Sequence, residues 1–157
     1  MKVEVRTAGA ADLAQITPLY WQLFQLLADW QPFYLRPAEP DAAFLQRTLT
    51  DPAADILLAE RGGEVVGFLM LQLQHTPDYT SVQPRPLVYV VDVLVAESAR
   101  RGGVASALMA AAEQWGRARG ADYMELSALA ENRPARVFYM SRGWRPAAVV
   151  YRRRLDD

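Results

Sequence analysis

Apolar and polar positions follow each other along the chain in patterns that predict an ordered series of strands and helices. Alternation with a period of two predicts strands, and apolar residues that recur every three or four positions predict helices. The glycine turn at 61–64, between two apolar runs, predicts a β-hairpin. The pattern predicts strands at 3–5, 55–60, 65–72, 87–95, 123–128 and 147–155, and helices from about residue 11, at 41–49, at 104–120 and at 134–141.

The predicted strand at 87–95 differs from the others because it is apolar and β-branched almost throughout. Such a run is typical of a strand that is buried on both faces, which predicts a central place in the sheet. Strict alternation puts Tyr89, Val91, Val93 and Val95 on one face of this strand and Asp92 on the other. This arrangement favours a buried structural hydrogen bond as the role of Asp92, unless a bulge re-aims its side chain.

Length and composition bound the class of protein. The chain has 157 residues, 52% of them hydrophobic, which predicts one domain over 1–157 with a single core. No apolar run approaches the roughly 18 residues of a membrane helix, and the first residues lack a secretory pattern, so a cytoplasmic protein without a membrane segment is expected. Because cysteine is absent and the net charge is -1, we expect no metal site built on thiolates and no nucleic-acid partner.

The strongest local signal is the glycine turn between the strand at 87–95 and the helix that follows it. Arg100 and Arg101 precede Gly102 and Gly103, and the first turns of the helix contain no acidic residue before Glu113. A helix N-terminus leaves backbone N–H groups unpaired and carries partial positive charge, so it binds anions. The turn therefore predicts a phosphate site, although an ordinary strand-to-helix turn also explains the glycines. The sequence signatures of a P-loop and of a dinucleotide fingerprint are both absent.

A second motif follows at 132–144. By itself it describes a capped helix, because Asn132 is a good N-cap, Pro134 suits the first turn and Gly143 ends the helix. Together, however, the two segments resemble the GNAT acetyltransferases, whose two motifs occur in this order and at this separation. The first reads Arg100-x-x-Gly103-x-Ala105, and the second reads Asn132-x-x-Ala135-x-x-Phe138-Tyr139-x-x-x-Gly143-Trp144. The resemblance extends over the chain and is weakest at 30–54 and 75–86.

The resemblance implies an α/β protein with the GNAT fold: a mixed, mostly antiparallel central sheet, with one parallel pair at the central strand and its successor, flanked by about four helices. It also implies an N-acetyltransferase that uses acetyl-CoA. The amides of 101–106 would hold the diphosphate of coenzyme A, and the main chain of the central strand would hold the pantetheine arm where a bulge splays that strand from the next. The implied cofactor-binding residues are Val93, Leu94, Val95, Arg100, Arg101, Gly102, Gly103, Val104, Ala105, Ser106, Asn132 and Tyr139.

Two residues are the candidates for moving protons. By the resemblance, Tyr139 would protonate the departing thiolate, a mildly uphill transfer because a thiol has a pKa near ~8.5 and a tyrosine near ~10. An acceptor ammonium, with a pKa near ~10, must first lose a proton. Asp92 is the carboxylate candidate for that role, and a water chain is the alternative. Relatives can place an acidic base at the position that Tyr89 occupies here.

The acceptor site in such folds is built from the first two helices, the loop before the central strand and the C-terminal strands. The candidate residues for it are Trp30, Tyr34, Tyr79 and Tyr89. An aromatic, modestly acidic cleft would suit a small primary amine, which attacks the thioester directly in a ternary complex. Acetylation of a peptide or protein N-terminus and a non-catalytic acyl-CoA-binding module are the alternatives. The arginine-rich closing segment at 147–155 is a candidate for the interface of a homodimer.

Overall fold

The computed structural model describes residues 2–156. The chain divides into two compact units, of which the first ends at Ser127 and the second begins at Ala128. Among the described residues, no helix is long and apolar enough to cross a membrane. The elements of the first unit are β1 (Val3–Thr7), α1 (Leu13–Trp30), α2 (Ala42–Thr50), β2 (Ala54–Arg61), β3 (Glu64–His75), β4 (Pro86–Val95), α3 (Val104–Ala118) and β5 (Tyr123–Glu125), with short 3₁₀ turns at Ala10–Asp12 and Glu97–Ala99; the second unit contains α4 (Arg133–Ser141).

The five strands form one mixed sheet in the order β1-β2-β3-β4-β5. The first three pairs are antiparallel, and β4 pairs with β5 in parallel. The prediction of a mostly antiparallel sheet with one parallel pair at the central strand and its successor is therefore confirmed. The predicted hairpin is also present, since β2 and β3 are joined by a tight turn at Gly62 and Gly63.

The main hydrophobic core lies between the sheet and the first two helices. Tyr20 of α1 packs its ring on Phe68 of β3, with 4.6 Å between the ring centroids. Leu45 of α2 and Met70 of β3 are buried in the same cluster. A fully buried side chain of this size contributes about 1.5–3 kcal/mol to stability. This packing fixes α1 across the middle of β3 and β4.

Helix α3 packs closely on the opposite face of the sheet. A Cβ atom at Gly67 of β3 would lie 3.2 Å from Cγ1 of Val104 and 3.0 Å from the main-chain oxygen of Leu94. The missing side chain at Gly67 therefore lets the first turn of α3 approach the end of β4. The glycine turn between β4 and α3 is therefore flanked by two residues that pack against Gly67, Leu94 before the turn and Val104 after it.

Two strand predictions need correction. The predicted strand at 147–155 is irregular in the structure, and its apolar residues are exposed: Val149 at 67%, Val150 at 79% and Tyr151 at 89%. The strand predicted at 123–128 is confined to Tyr123–Glu125. Alternation describes which faces a strand would bury, but a strand forms only where a neighbouring backbone accepts its hydrogen bonds.

Candidate active site

The turn between β4 and α3 is a concave run of backbone that ends in an uncapped helix. Arg101 and Gly103 both have left-handed backbone conformations, with φ of 65° and 79°. Gly103 is the N-cap residue of α3, so no side chain caps this helix. The amide of Ala107 donates to the Gly103 carbonyl at 3.0 Å, so the amides at 104–106 precede the first α-helical hydrogen bond. These N–H groups are free to bind an anion.

The chemistry of the turn fits a diphosphate. The first turn of α3 contains no acidic residue, and a Cβ atom at Gly103 would meet nothing within 4 Å. Successive amides in such a conformation form an anion-binding concavity, and the helix terminus adds partial positive charge. The side chains of Arg100 and Arg101 are exposed at the turn. The residues predicted to hold the diphosphate of coenzyme A thus form a site that can accept it.

The edge of β4 beyond its pairing with β5 is the second part of the candidate site. β5 pairs with β4 only over Leu87–Tyr89, so the strand edge that follows has no β5 partner. The amide of Ala96 donates to the Val66 carbonyl of β3 at 2.8 Å. Because successive main-chain groups of a strand point in opposite directions, those of Val93 and Val95 point away from β3 and toward the open edge.

The three consecutive residues predicted to bind the cofactor on β4 have different surroundings. Leu94 is 5% exposed, lies in the core and directs its main-chain groups toward β3. The Val95 carbonyl accepts a hydrogen bond from Nε of Arg100 at 3.2 Å. The N–H of Val95 and both main-chain groups of Val93 therefore provide the hydrogen-bonding capacity that suits an amide-containing arm.

A β-bulge at Val91 changes which side chains of β4 share a face. Met70 pairs with Asp92, but the next residue of β3, Leu71, pairs with Val90, so Val91 has no partner of its own. Asp92 consequently falls on the same face as Tyr89, since their partners on β3, Met70 and Gln72, are two residues apart. The prediction from strict alternation, which separated Tyr89 from Asp92, is wrong because the extra residue shifts the period.

The bulge brings the Asp92 carboxylate against α1. The Tyr20 hydroxyl donates to Oδ2 of Asp92 at 2.5 Å and lies 3.7 Å from the Met70 sulfur. Burial raises the pKa of Asp92, and the hydrogen bond from Tyr20 opposes that rise. Burial and the neighbouring carboxylate also raise the pKa of Tyr20. Asp92 thus has the buried hydrogen bond expected of it.

Sequence reasoning did not identify Tyr20 as the partner of Asp92. A signal was present, because a buried phenol and a buried carboxylate each need a polar partner, and few other polar side chains are buried in this layer. The sequence does not show that these two residues are partners, because their contact depends on the register shift at Val91. The pair is therefore a product of the bulge.

Helix α4 carries the two candidate residues of the second motif. Oδ1 of Asn132 accepts the amide of Ala135 at 3.3 Å, which confirms the predicted N-cap. The Tyr139 ring lies between Phe138 and Trp144, each with its centroid 5.6 Å away. Burial raises the pKa of Tyr139 to about 12. Its hydroxyl is therefore protonated throughout the neutral range.

The four aromatic candidates for the acceptor site lie in the first unit. Trp30 is half-buried at the end of α1, and Tyr89 is half-buried on β4. Tyr34 is 44% exposed, and Tyr79, in the loop before β4, is 68% exposed.

A groove of about 700 Å³ lies between α1 and the segment after β4. Its lining residues are Gln22, Gln25, Leu26, Asp29, Ala96, Glu97, Ser98 and Arg100.

Comparison with known proteins identifies the family. The model of the acetyltransferase (GNAT) family matches residues 15–144. The chain is 30% identical over 144 residues to the uncharacterised N-acetyltransferase YhfO of Bacillus subtilis, covering 90% of this chain and 89% of that protein. It is 30% identical over 142 residues to the aminoalkylphosphonate N-acetyltransferase of Salmonella typhimurium, covering 90% and 84%. Among solved structures, a mutant of the BH1408 protein of Bacillus halodurans superposes with a TM-score of 0.91 at 23% identity, covering 97% and 99%.

The chain therefore belongs to the acetyltransferase (GNAT) family. The predicted fold class, the predicted acetyl-CoA-dependent acyltransferase and the predicted cofactor, coenzyme A, are confirmed. The first unit contains the diphosphate turn, the open β4 edge, Asp92 and the four aromatic candidates. The second unit contains Asn132 and Tyr139. The roles of these individual residues remain predictions.

Proposed function

We propose that this protein transfers the acetyl group of acetyl-CoA to a primary amine of a small molecule, by direct attack in a ternary complex. The observation that carries the proposal is the uncapped turn at 100–106 next to an open stretch of β4 edge. When bound, acetyl-CoA supplies the activated acyl group as a thioester. The turn would bind the diphosphate, and the main chain of Val93 and Val95 would orient the arm, with one N–H polarising the acyl carbonyl.

Tyr139 is proposed to hold the proton that the leaving group needs. Its pKa, raised to about 12 by burial, keeps the hydroxyl protonated at neutral pH. Complete transfer to a thiol with a pKa near ~8.5 is uphill, so the proton would be donated only as the leaving sulfur gains charge. Asn132 caps its own helix through Oδ1, which leaves the amide NH₂ group to donate to a pantetheine carbonyl.

Asp92 is proposed as the carboxylate that accepts a proton from the acceptor. A carboxyl group with a raised pKa is a stronger base than an ordinary aspartate, and burial raises the pKa of Asp92. The bulge also puts Asp92 on the face of β4 that carries Tyr89. The competing role is purely structural, since the Tyr20 hydrogen bond already provides a partner for Oδ2 of the carboxylate.

The acceptor class is proposed from the groove and the aromatic residues. Asp29 and Glu97 line the groove beside α1 together with Arg100, so the groove provides two carboxylates against one guanidinium for a cationic amine. The exposed rings of Tyr34 and Tyr79 offer faces on which an ammonium can bind. The relative from Salmonella typhimurium is named for a small aminoalkylphosphonate acceptor, which supports a small molecule in preference to a peptide.

The central test is the release of free thiol from acetyl-CoA in the presence of amines, aminoglycosides, aminoalkylphosphonates, amino acids and peptides. We expect turnover with small primary amines. In Tyr34→Ala and Tyr79→Ala, we expect a higher KM for the amine. Turnover confined to peptides would instead identify an N-terminal acetyltransferase. Binding of acetyl-CoA without thiol release for any acceptor would identify a non-catalytic acyl-CoA-binding module.

The roles of Tyr139 and Asp92 are tested by isosteric substitutions. Tyr139→Phe should lower kcat by about 10²- to 10⁴-fold, the usual cost of losing a general acid, with little change in the affinity for acetyl-CoA. Asp92→Asn keeps an oxygen for the Tyr20 hydroxyl but removes the base, so kcat should fall and the acidic limb of the pH profile should disappear. Tyr20→Phe is the matched control, because it removes the hydrogen bond and leaves the carboxylate. An unchanged kcat in Tyr139→Phe or in Asp92→Asn would remove that residue from the mechanism.

A further inference from the structure

Arg61, the last residue of β2, reaches from the hairpin to the diphosphate turn. Its Nη2 atom donates to the main-chain oxygen of Gly102 at 3.3 Å. A Cβ atom at Gly102 would overlap that same Nη2 atom, so the guanidinium occupies the space that a side chain at 102 would fill. Neither of the two family motifs includes Arg61. The contact joins the hairpin to the turn across 41 residues of sequence.

Among the described residues, the Arg61 guanidinium has no acidic partner: no carboxylate forms an ion pair with it, and its buried Nε atom has no hydrogen-bond partner. Arg6, on the neighbouring strand β1, differs in both respects, because it pairs with Asp12 and with Glu60 at 2.7 Å. A positive charge without a carboxylate partner is stabilised when an anion binds close to it. An anion bound at the turn would supply that stabilisation to the Arg61 guanidinium.

The geometry of the peptide group explains how this contact acts on the ligand site. The carbonyl of Gly102 and the N–H of Gly103 belong to one planar trans peptide, so they point in opposite directions. A hydrogen bond that draws the Gly102 oxygen toward Arg61 therefore turns the Gly103 N–H away from Arg61. The left-handed conformation of Gly103, with φ of 79°, then leads directly into the uncapped turn of α3.

We propose that Arg61 is a positioning residue for the diphosphate site of coenzyme A. It orients the Gly103 N–H through the Gly102 carbonyl and places an unpaired positive charge beside the turn. The ligand chemistry that this arrangement recognises is the diphosphate and not the 3′-phosphate of the adenosine. The two phosphate groups can be separated experimentally, because 3′-dephospho-CoA retains the diphosphate alone.

The test measures the binding of CoA and of 3′-dephospho-CoA by isothermal titration calorimetry, which needs no turnover. Arg61→Ala should weaken both ligands by the same factor, about 10-fold or more, since a hydrogen bond to a charged group and its charge are lost together. Arg61→Lys keeps the charge and should show a smaller loss. The kcat at saturating acetyl-CoA should be unchanged in both variants, while KM for acetyl-CoA rises.

The matched control is Arg85→Ala, which removes an exposed arginine just before β4, at the end of that strand far from the turn. Arg85 pairs with Asp122 at 3.0 Å, and its loss should leave the affinity for both ligands unchanged. Affinities of Arg61→Ala equal to those of the unmodified protein would overturn the proposal. A loss confined to CoA would also overturn it, because Arg61 would then contact the 3′-phosphate. Should thermal denaturation show that Arg61→Ala does not fold, the same comparison of the two ligands in Arg61→Lys decides the question.

Discussion

Two helix N-termini in the first unit are satisfied in opposite ways. At α2 the protein provides its own anion, because Oδ1 of Asp41 accepts the amides of Ala43 and Phe44 at 3.0 and 3.2 Å. At α3 the N-cap is Gly103, and no side chain accepts the first amides. The two helices expose the same unpaired donors and the same partial positive charge. The difference is that α2 completes its N-terminus with a side chain, whereas α3 has no side-chain cap at the place where we propose that the diphosphate binds.

The N-terminus of α4 is intermediate between these two. Asn132 caps it with a neutral amide oxygen, so one amide is satisfied without adding negative charge. The same side chain keeps two N–H donors that the cap does not use. A structural cap, an open anion site and a cap with a spare donor can therefore be distinguished by what occupies the N-cap position.

The largest expected effect comes from giving α3 the kind of cap that α2 has. Gly103→Asp places a carboxylate where the diphosphate would bind, and a Cβ atom there meets nothing within 4 Å. The affinity for CoA should fall by about 10²-fold or more, since charge repulsion is added to the loss of at least one charge-assisted hydrogen bond. Isothermal titration of CoA measures the change.

Gly120→Asp is the matched control for this substitution. Gly120 has a similar left-handed φ of 75° and open space around its Cα, but it lies past the C-terminal end of α3. Both variants carry the backbone strain of a side chain in that conformation, about 1–2 kcal/mol. If Gly120→Asp weakens CoA binding as much as Gly103→Asp does, the contrast between the N-termini of α2 and α3 has no functional meaning.

An intermediate effect is expected at α4. Asn132→Asp keeps the acceptor for the Ala135 amide and removes the two donors. The melting temperature should therefore hold, while KM for acetyl-CoA rises up to about 10-fold for one lost hydrogen bond. Asn132→Ala, which removes both the acceptor and the donors, should lower the melting temperature and raise KM for acetyl-CoA. An unchanged KM in Asn132→Asp would show that Asn132 is only a cap.

The smallest expected effect on activity is at α2. Asp41→Ala should reduce the free energy of unfolding by about 0.5–2 kcal/mol, because two amides lose their acceptor. Chemical denaturation measures this loss, and Asp41→Asn, which keeps an acceptor, should recover most of it. The affinity for CoA should not change in either variant. A clear loss of CoA binding would contradict the purely structural assignment of this cap.

Much of the fold could be predicted because its elements have clear periodic patterns. The hairpin of β2 and β3, the apolar strand β4 and the helix α3 all follow from local alternation, glycine turns and helical spacing. The strand predicted at 147–155 failed because it depends on a partner backbone, which apolar alternation does not identify. The same limit explains why β5 is shorter than its pattern.

The candidate site divides in the same way. The diphosphate turn and the capped helix α4 were predictable, since each depends on residues within a few positions of one another. The partnership of Asp92 with Tyr20 joins residues 72 positions apart and depends on the unpaired residue Val91. Arg61 reaches Gly102 from another strand, so no local pattern marks it as part of the site.

By itself, the sequence determined the order of the strands and α-helices as far as α4, the glycine turn that precedes α3, the cap of α4 and the family to which the chain belongs. These features depend on backbone preferences and spacing, which act over a few residues. Only the tertiary structure decided which face of β4 carries Asp92, which buried hydroxyl satisfies it and which arginine lies against the turn. Those outcomes depend on strand register and on contacts between distant segments, and a shift of one residue in register changes the face of every side chain that follows.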